Sequence, residues 1–167
     1  MRSPSAPRGL RDLLARDRLL VAPGAYECVT ARLIARAGFE AIYMTGAGTA
    51  ATYGYPDYGL ATMTEMVDNA RRIAAAVDLP VIADADTGYG SELNMVRTVR
   101  EYELAGIAGI HIEDQAFPKR CGHLDDKVLI PLEDYTTKIR AAAESRTDPD
   151  FVIIARSDAR APANLDE

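Results

Sequence analysis

The stretch "EYELAGIAGIHIEDQA" (residues 101–116) has the pattern of one helix end followed by one buried strand. Gly106 suits the left-handed conformation that closes a helix, and the apolar run at 109–113 then stops at two carboxylates. The stretch "LIARAGFEAIYMTGAG" (residues 33–48) can be laid over it at the shared Ala-Gly pair, which places Gly38 at the same kind of helix end. This recurrence indicates one structural unit that is used more than once.

Short runs rich in Ile and Val predict the strands of a parallel sheet, buried on both faces. Four of them lie at 41–45, 81–85, 109–113 and 152–156, and an earlier strand is predicted at 19–23. Helical segments separate these strands at roughly 30–40 residues per unit, which is typical of an α/β protein with about five strand–helix units.

Three helices are predicted between the later strands, each with one apolar face. The first begins at a capping box, "TMTE" (62–65), in which Thr62 and Glu65 satisfy each other's backbone donors. The residues predicted to face the core are Met66, Ala70, Ile73, Ala74 and Val77 in the first helix, Val96, Val99 and Tyr102 in the second, and Tyr135, Ile139 and Ala142 in the third.

Composition excludes several classes of protein. The 167 residues carry a formal net charge of −6, whereas nucleic-acid-binding domains are usually basic, and no uninterrupted apolar stretch reaches the length of a membrane span. Cys28 and Cys121 are the only cysteines, which fits a reducing cytoplasm better than a disulfide framework. We expect one domain over 1–167, in which 1–17 form a lead-in and a short helix and not a signal peptide.

Carboxylates gather where the predicted strands end. Asp84 and Asp86 are two apart and should share a face, Glu113 takes the corresponding place in the next strand, and Asp57 lies in the loop "TYGYPDYGL". Ligands bind at the carboxyl ends of the strands in such folds, and oxygen ligands that would otherwise repel one another favour Mg²⁺ or Mn²⁺. The alternative is a set of helix caps and solvated loop acids.

The stretch "KRCGH" (119–123) places Cys121 among Lys119, Arg120 and His123. Positive charge beside a thiol favours its thiolate form, so Cys121 is a candidate acid–base group or nucleophile, the alternative being an ordinary cysteine in an exposed loop. Cys28 is predicted to be a small buried apolar residue of a helix. His111 shares a strand face with Glu113 and could line the site. We expect it instead to be an interior histidine whose hydrogen bonds are satisfied.

Further candidate ligand groups lie at the same strand ends. Tyr43 and Thr45 share a face and precede "TGAG" (45–48), whose glycines would let backbone N–H groups approach an anion, or would only form a tight turn. Arg156 ends the run "FVIIAR" and is suited to a substrate carboxylate. Its alternative is a structural ion pair with Asp84, Asp86 or Asp158.

Several motifs in this order resemble the isocitrate lyase / phosphoenolpyruvate mutase superfamily, and most of all its 2-methylisocitrate lyase type. They are "PGAYE" (23–27), "YMTGAG" (43–48), "PDYG" (56–59), "DADTGYG" (84–90), "HIEDQ" (111–115), "KRCGH" (119–123) and "DPDFVIIARSDA" (148–159). The resemblance covers nearly the whole chain. It implies a (β/α)₈ TIM barrel, with the site at the carboxyl ends of its strands.

The resemblance also implies roles for individual residues. Asp84 and Asp86 would hold Mg²⁺, helped through water by Asp57 and Glu113. Thr45, Gly46 and Ala47 would cradle one end of a small carboxylic acid substrate, Arg156 would bind a carboxylate, and Cys121 with Gly122 would lie in a mobile loop that closes over the metal. Cys121 would protonate the departing carbanion, Tyr43 would handle the substrate hydroxyl proton, and Lys119 and His123 would tune the thiol and bind the far carboxylate.

The function implied by the resemblance is Mg²⁺-dependent cleavage of a carbon–carbon bond in a 2-hydroxy di- or tricarboxylate, giving pyruvate or another 2-oxo acid. The alternatives within the superfamily are an oxaloacetate decarboxylase and a phosphonomutase, and the alternative outside enzymes is an inactive truncated relative. Full-length relatives imply a homo-oligomer, a tetramer.

A complete barrel needs about 200–250 residues, and this sequence reaches only about the fifth strand–helix unit. We therefore expect a truncated barrel that is weakly active or inactive by itself, with an exposed strand edge.

Overall fold

The computed structural model describes residues 5–160, so residues 1–4 of the predicted lead-in and helix (1–17) lie outside that range. Along the chain the elements are α1 (Ala6–Leu14), β1 (Gly24–Ala25), α2 (Cys28–Arg36), β2 (Ile42–Met44), α3 (Gly46–Thr52), α4 (Met63–Ala76), β3 (Val81–Asp84), α5 (Glu92–Leu104), β4 (Gly109–Glu113), α6 (Leu132–Ser145) and β5 (Val152–Arg156).

The five strands form one parallel sheet in the order β1-β2-β3-β4-β5. The predicted α/β class with a parallel sheet of five units is confirmed. Sequential order in a parallel sheet is the order that consecutive units of a β/α barrel have. Gly38 and Gly106 close their helices at φ of 87° and 81°, as predicted.

The first strand was predicted too early. It covers Gly24–Ala25, while Leu19 and Val21 of the predicted 19–23 segment are exposed. The ladder begins only where the Pro23 carbonyl accepts a hydrogen bond from the Tyr43 N–H (3.0 Å). Apolar residues before that point do not enter the sheet.

The two faces of the sheet have different neighbours because side chains alternate along a strand. One face packs against the helices and holds the main core, which includes Ile42, Ala83, Ile110 and Ile112. The opposite face carries Ile82, Val152 and Ile154, which pack with Leu10 of α1 near the amino ends of the strands. Tyr43, Asp84, His111, Glu113 and Arg156 follow the same alternation and lie on this second face, which we call the inner face.

The predicted helix faces are largely confirmed. Met66, Ala70 and Ile73 are buried, and Ala74 and Val77 are packed against the core; Tyr135 and Ala142 are buried and Ile139 is partly so. Val96 was wrongly predicted to face the core, because it is 44% exposed. The buried residues of α5 are Met95, Thr98, Val99 and Tyr102. Cys28 is half-buried rather than buried, because it is the first residue of α2.

No helix among residues 5–160 combines the length and the apolar character that a membrane span requires.

The capping box of α4 is present as predicted. The Thr62 N–H donates to Glu65 Oε2 (2.7 Å), and the Glu65 N–H donates to Thr62 Oγ1 (3.4 Å). We expect Thr62→Ala to lower the free energy of unfolding by about 1 kcal/mol, measured by urea denaturation. Thr64→Ala in the same exposed first turn is the control, since Thr64 does not cap the helix; equal losses in both variants would contradict this role for Thr62.

Candidate active site

Strand register brings polar side chains together at the carboxyl ends of β2 to β5. Asp84 pairs with His111 across β3 and β4, and Glu113 pairs with Arg156 across β4 and β5. Since these residues share the inner face, their side chains converge there. With Tyr43, they form the floor of the site.

Asp86 reaches the site by a different route from the one predicted. The strand β3 ends at Asp84, and Asp86 adopts a left-handed conformation at φ 46°, so strand alternation does not place it. Its backbone N–H donates to Asp84 Oδ1 (2.9 Å), which folds the turn over the first carboxylate. The two carboxylates are therefore close, as predicted, and both are buried.

Lys119 lies between carboxylates. Its Nζ is 2.5 Å from Asp57 Oδ1 and 2.7 Å from Asp86 Oδ1, and the residue is only 4% exposed. Burial by itself would lower the pKa of Lys119, but the charge of Asp86 and the hydrogen bond to Asp57 raise it above its ordinary value. The sequence predicted that Lys119 tunes the thiol and binds the far carboxylate of the substrate; in the structure its ammonium group contacts the two acids.

The three buried carboxylates have different protonation preferences. Burial opposes ionisation of Asp84, but its contact with His111 and the charge of Lys119 hold its pKa well below the usual range. Burial, reinforced by the Asp84 charge, raises the pKa of Asp86 to about 6. Burial raises the pKa of Glu113 to about 8 even though Lys119 and Arg156 oppose the shift. Such spread is typical of functional sites.

Tyr43 and His111 stack on the floor of the site, with ring centroids 5.3 Å apart. The Tyr43 hydroxyl donates to Asp84 Oδ2 (3.0 Å) and also contacts His111 Nε2. Burial and the neighbouring Asp84 charge raise the pKa of Tyr43, so the neutral phenol is favoured. His111 Nδ1 is buried and has no hydrogen-bond partner among the described residues, so His111 is not the fully satisfied interior histidine that the sequence favoured.

The "TGAG" segment starts α3. Thr45 caps this helix by accepting from the Gly48 N–H (2.7 Å), and the Gly46 N–H donates to Asp84 Oδ2 (3.1 Å). A Cβ on Gly46 would come within 2.5 Å of that oxygen. A backbone N–H group of this segment does approach an anion closely, as predicted, but the anion in the structure is the carboxylate of Asp84.

Arg156 pairs with two acids. Its Nη1 is 3.2 Å from Glu113 Oε2 and its Nη2 is 3.1 Å from Asp158 Oδ1. Of the structural partners considered from the sequence, only Asp158 is found; Glu113 was not foreseen as a partner, because it had been assigned to the metal.

The thiol loop, residues 119–127, closes over this floor. Cys121 Sγ lies 3.7 Å from His123 Nδ1, and Gly122 lies so close to Arg156 that a Cβ there would be 2.2 Å from Nη2. The ammonium group of Lys127 donates to the Gly122 carbonyl (2.8 Å) and to the Leu124 carbonyl (2.6 Å). Sequence reasoning missed Lys127, whose buried position no local pattern reveals.

One cavity of about 230 Å³ collects nearly every predicted site residue. It is lined by Tyr43, Thr45, Gly46, Ala47, Asp57, Asp84, Glu113, Lys119, Cys121, Gly122, His123 and Arg156. Asp86 adjoins this cavity through Lys119. A larger cavity, of about 450 Å³, lies between α1 and α5 near the amino ends of the strands, where no predicted site residue is found.

The donor set fits a hard divalent cation in chemistry. Four carboxylates meet at the site, and Glu113 Oε1 is a buried oxygen without a hydrogen-bond partner among residues 5–160. Within that same range no three potential ligand side chains already stand at metal-binding distances, and Lys119 supplies the positive charge between Asp57 and Asp86. Asp84 and Asp86 could hold Mg²⁺, which prefers carboxylate oxygens, and Asp57 and Glu113 lie close enough to the site to assist as predicted.

Without a divalent cation, we expect stability to fall as the pH rises. Glu113 ionises near pH 4.5 when unfolded and near pH 8 when folded, and Asp86 near 3.8 and near 6. Between those values the folded chain holds more protons, so the free energy of unfolding falls by up to about 1.4 kcal/mol per pH unit for each group. The lowered pKa of Asp84 has the opposite sign and acts only below its unfolded value of 3.8.

Urea denaturation in EDTA at a series of pH values measures this slope. Above the pKa of Asp86, up to about pH 8, the slope belongs to Glu113 alone, whereas between about pH 4.5 and 6 both groups contribute. Glu113→Gln should therefore abolish the slope in the upper range and reduce it to the contribution of Asp86 in the lower range. A slope that is identical in the variant would refute the assignment.

The sequence of this chain is similar to those of several known enzymes. Residues 10–166 match the family model described as phosphoenolpyruvate phosphomutase. Over 159 residues, or 95% of this chain, it is 52% identical to 2,3-dimethylmalate lyase of Eubacterium barkeri and 46% identical to probable 2-methylisocitrate lyase 2 of Corynebacterium glutamicum (strain ATCC 13032). The chain covers 55% and 52% of these two relatives, and so spans about half their length.

Solved structures agree with the sequence matches. Oxaloacetate acetylhydrolase in complex with 3,3-difluorooxalacetate superposes with a TM-score of 0.93 at 43% identity, over 97% of this chain and 57% of that one. Phosphonopyruvate hydrolase in complex with oxalate and Mg²⁺ gives 0.86 at 38% identity, over 93% of this chain and 53% of that one. The five-stranded sheet thus corresponds to just over half of a TIM barrel, as predicted, and the chain belongs to the phosphoenolpyruvate mutase / isocitrate lyase superfamily.

Proposed function

We propose that this chain carries the metal- and thiol-bearing part of a Mg²⁺-dependent carbon–carbon lyase that cleaves a branched 2-hydroxy di- or tricarboxylate. The observation that carries the proposal is the meeting of Cys121, Arg156 and the buried carboxylates in one cavity. The names of its relatives, 2,3-dimethylmalate lyase and 2-methylisocitrate lyase, support the substrate class.

The chemistry is a retro-aldol cleavage. The substrate loses the proton of its C2 hydroxyl, the C2–C3 bond breaks to leave a 2-oxo acid, and the electron pair left on C3 takes up a proton. A bound divalent cation would supply Lewis acidity toward the substrate oxygens. Arg156 would hold a carboxylate of the substrate, since a guanidinium matches a carboxylate in two-point geometry.

Two residues would move the protons. Tyr43 takes the hydroxyl proton while it passes its own to His111 Nε2, because the raised pKa of Tyr43 disfavours a free phenolate and the lowered pKa of Asp84 makes that carboxylate a poor proton acceptor. Cys121 Sγ, which lies beside His123 Nδ1 in the thiol loop, gives its proton to C3. Lys119 holds the carboxylates of Asp57 and Asp86 in place through its ammonium group.

The test is release of pyruvate from 2-methylisocitrate and from 2,3-dimethylmalate in the presence of Mg²⁺. It should be run on the purified chain and on a chimera in which this chain replaces the matching 159 residues of the Eubacterium barkeri lyase. We expect turnover in the chimera that EDTA abolishes, and little in the chain alone. A folded chimera that releases no pyruvate from either substrate would overturn the proposal.

The second candidate is hydrolytic cleavage of oxaloacetate. It is favoured by the superposition on oxaloacetate acetylhydrolase, which has a TM-score of 0.93. Oxaloacetate belongs in the same assay: formation of oxalate and acetate would establish this alternative, formation of pyruvate and carbon dioxide would indicate a decarboxylase. The homo-oligomeric state and the cytoplasmic location stay predictions.

A further inference from the structure

Gln115 is a polar side chain that the proposed chemistry does not use. It lies two residues after the end of β4, is only 1% exposed, and ranks among the largest fully buried side chains of the described residues. Burying a primary amide costs free energy unless its donors and acceptor are satisfied. Its partners therefore show what the buried position achieves.

The amide of Gln115 holds the backbone of Arg120 from both sides. The Arg120 N–H donates to Gln115 Oε1 (2.9 Å), and Gln115 Nε2 donates to the Arg120 carbonyl (2.9 Å). Arg120 is the residue directly before Cys121. This pair of bonds fixes the position at which the chain enters the thiol-bearing turn.

The same Nε2 makes a third hydrogen bond, to Asp158 Oδ2 (2.7 Å). Asp158 in turn pairs with Arg156 Nη2 (3.1 Å) and is held by its own N–H, which donates to Asp114 Oδ1 (2.9 Å). One buried amide therefore connects the thiol loop with the arginine at the end of β5. Glutamine is suited to this position because it offers an acceptor to one N–H and donors to two oxygens, whereas a glutamate would offer no donor.

We propose that Gln115 is a positioning residue, which fixes the start of the thiol loop and couples it to Arg156, so that Cys121 and the carboxylate-binding arginine keep one relative geometry. The inference rests on the proposed function for the role of Cys121. Its test uses neither substrate nor metal, so that a failure of the chemistry and a failure of the coupling can be told apart.

Gln115→Met in the 167-residue chain removes all three hydrogen bonds while nearly keeping the side-chain volume. We expect the Arg120 amide hydrogen to exchange at least about tenfold faster, as follows from losing about one to two net hydrogen bonds, while exchange within β4 and β5 is unchanged. In a Cys28→Ala background, where Cys121 is the only thiol, its alkylation by iodoacetamide should accelerate by a similar factor.

Two further variants keep the test decisive. Gln115→Asn keeps a polar amide in the buried position but is one methylene too short to span Arg120, so it should show the same loosening if the methionine variant does not fold. Glu103→Ala removes hydrogen bonds to the Thr147 and Asp148 N–H groups at the opposite end of the strands and should leave the thiol loop unchanged. Unchanged exchange and alkylation in a folded Gln115 variant, or equal changes in Glu103→Ala, would overturn the proposal.

Discussion

Replacing Lys119 by methionine is expected to lower the free energy of unfolding by about 3–5 kcal/mol when no divalent cation is present. The ammonium group lies within 2.7 Å of both Asp57 and Asp86, and its removal leaves a nearly buried pair of acids without a counter-charge. Such a loss exceeds the usual effect of a surface substitution, because breaking a buried ion pair on one side leaves the remaining charge without solvation.

The neighbouring residue supplies a matched control. Arg120 is exposed, and its guanidinium is 3.7 Å from Asp126, which is also exposed, so Arg120→Met should change stability by less than about 0.5 kcal/mol. Its backbone contacts with Gln115 are retained. Urea denaturation in EDTA, followed by circular dichroism, measures both variants, and equal losses in the two would contradict the central position of Lys119.

Added Mg²⁺ gives the second measurement on the same variants. A cation that binds the folded state alone stabilises it by mass action, and in Lys119→Met the carboxylates no longer have an ammonium group between them. We therefore expect Mg²⁺ to stabilise Lys119→Met more than Arg120→Met. Equal stabilisation would show that Lys119 and the cation do not share these carboxylates.

The fold was predictable because its signals are local. Runs of Ile and Val, helix-closing glycines and a capping box each act within a few residues, and each was found where the sequence placed it. The exceptions are also local: the strand β1 is only two residues long, and a strand that short has no alternation for a pattern to detect. In α5 an apolar residue beside the stripe, Val96, was mistaken for a member of it.

The sequence was sufficient to predict which residues form the site, but not which cation pairs with which carboxylate. Carboxylates at strand ends and a cysteine among cations identify the residues, since parallel strands end at one edge of the sheet. Which cation meets which acid depends on how the thiol loop folds back, and no local pattern fixes that path. Lys119 was thus assigned to the nearby thiol and to a substrate carboxylate, whereas the acids that it contacts, Asp57 and Asp86, come from other loops.

Gln115 is another residue whose partners could not be predicted from the sequence. Its place in the motif "HIEDQ" was visible, yet its hydrogen bonds go to Arg120, five residues later, and to Asp158, 43 residues later. Only the parallel register of β4 and β5 brings Asp158 within reach. A polar residue at a strand end is informative in a sequence, but its partners are set by the fold.

Replacing Cys121 by serine in the chimera is expected to lower kcat by about 10²–10⁴-fold, the usual contribution of a positioned general acid. A hydroxyl is a much weaker proton donor than a thiol of nearly the same size, so the carbanion left by bond cleavage would lose its proton source while the cavity keeps its shape. Because the thiol acts on the reacting carbon and not on the carboxylates, KM should change little.

Cys28→Ser is the matched control for this prediction, since Cys28 is the other cysteine of the chain and lies at the start of α2, outside the lining of the cavity. We expect it to keep nearly full activity. Steady-state release of pyruvate at saturating Mg²⁺ measures both variants. If Cys121→Ser retained a kcat close to that of the parent, or if Cys28→Ser lost as much, the carbanion would have to take its proton from another donor, and His123, 3.7 Å from the thiol, would be the next residue to replace.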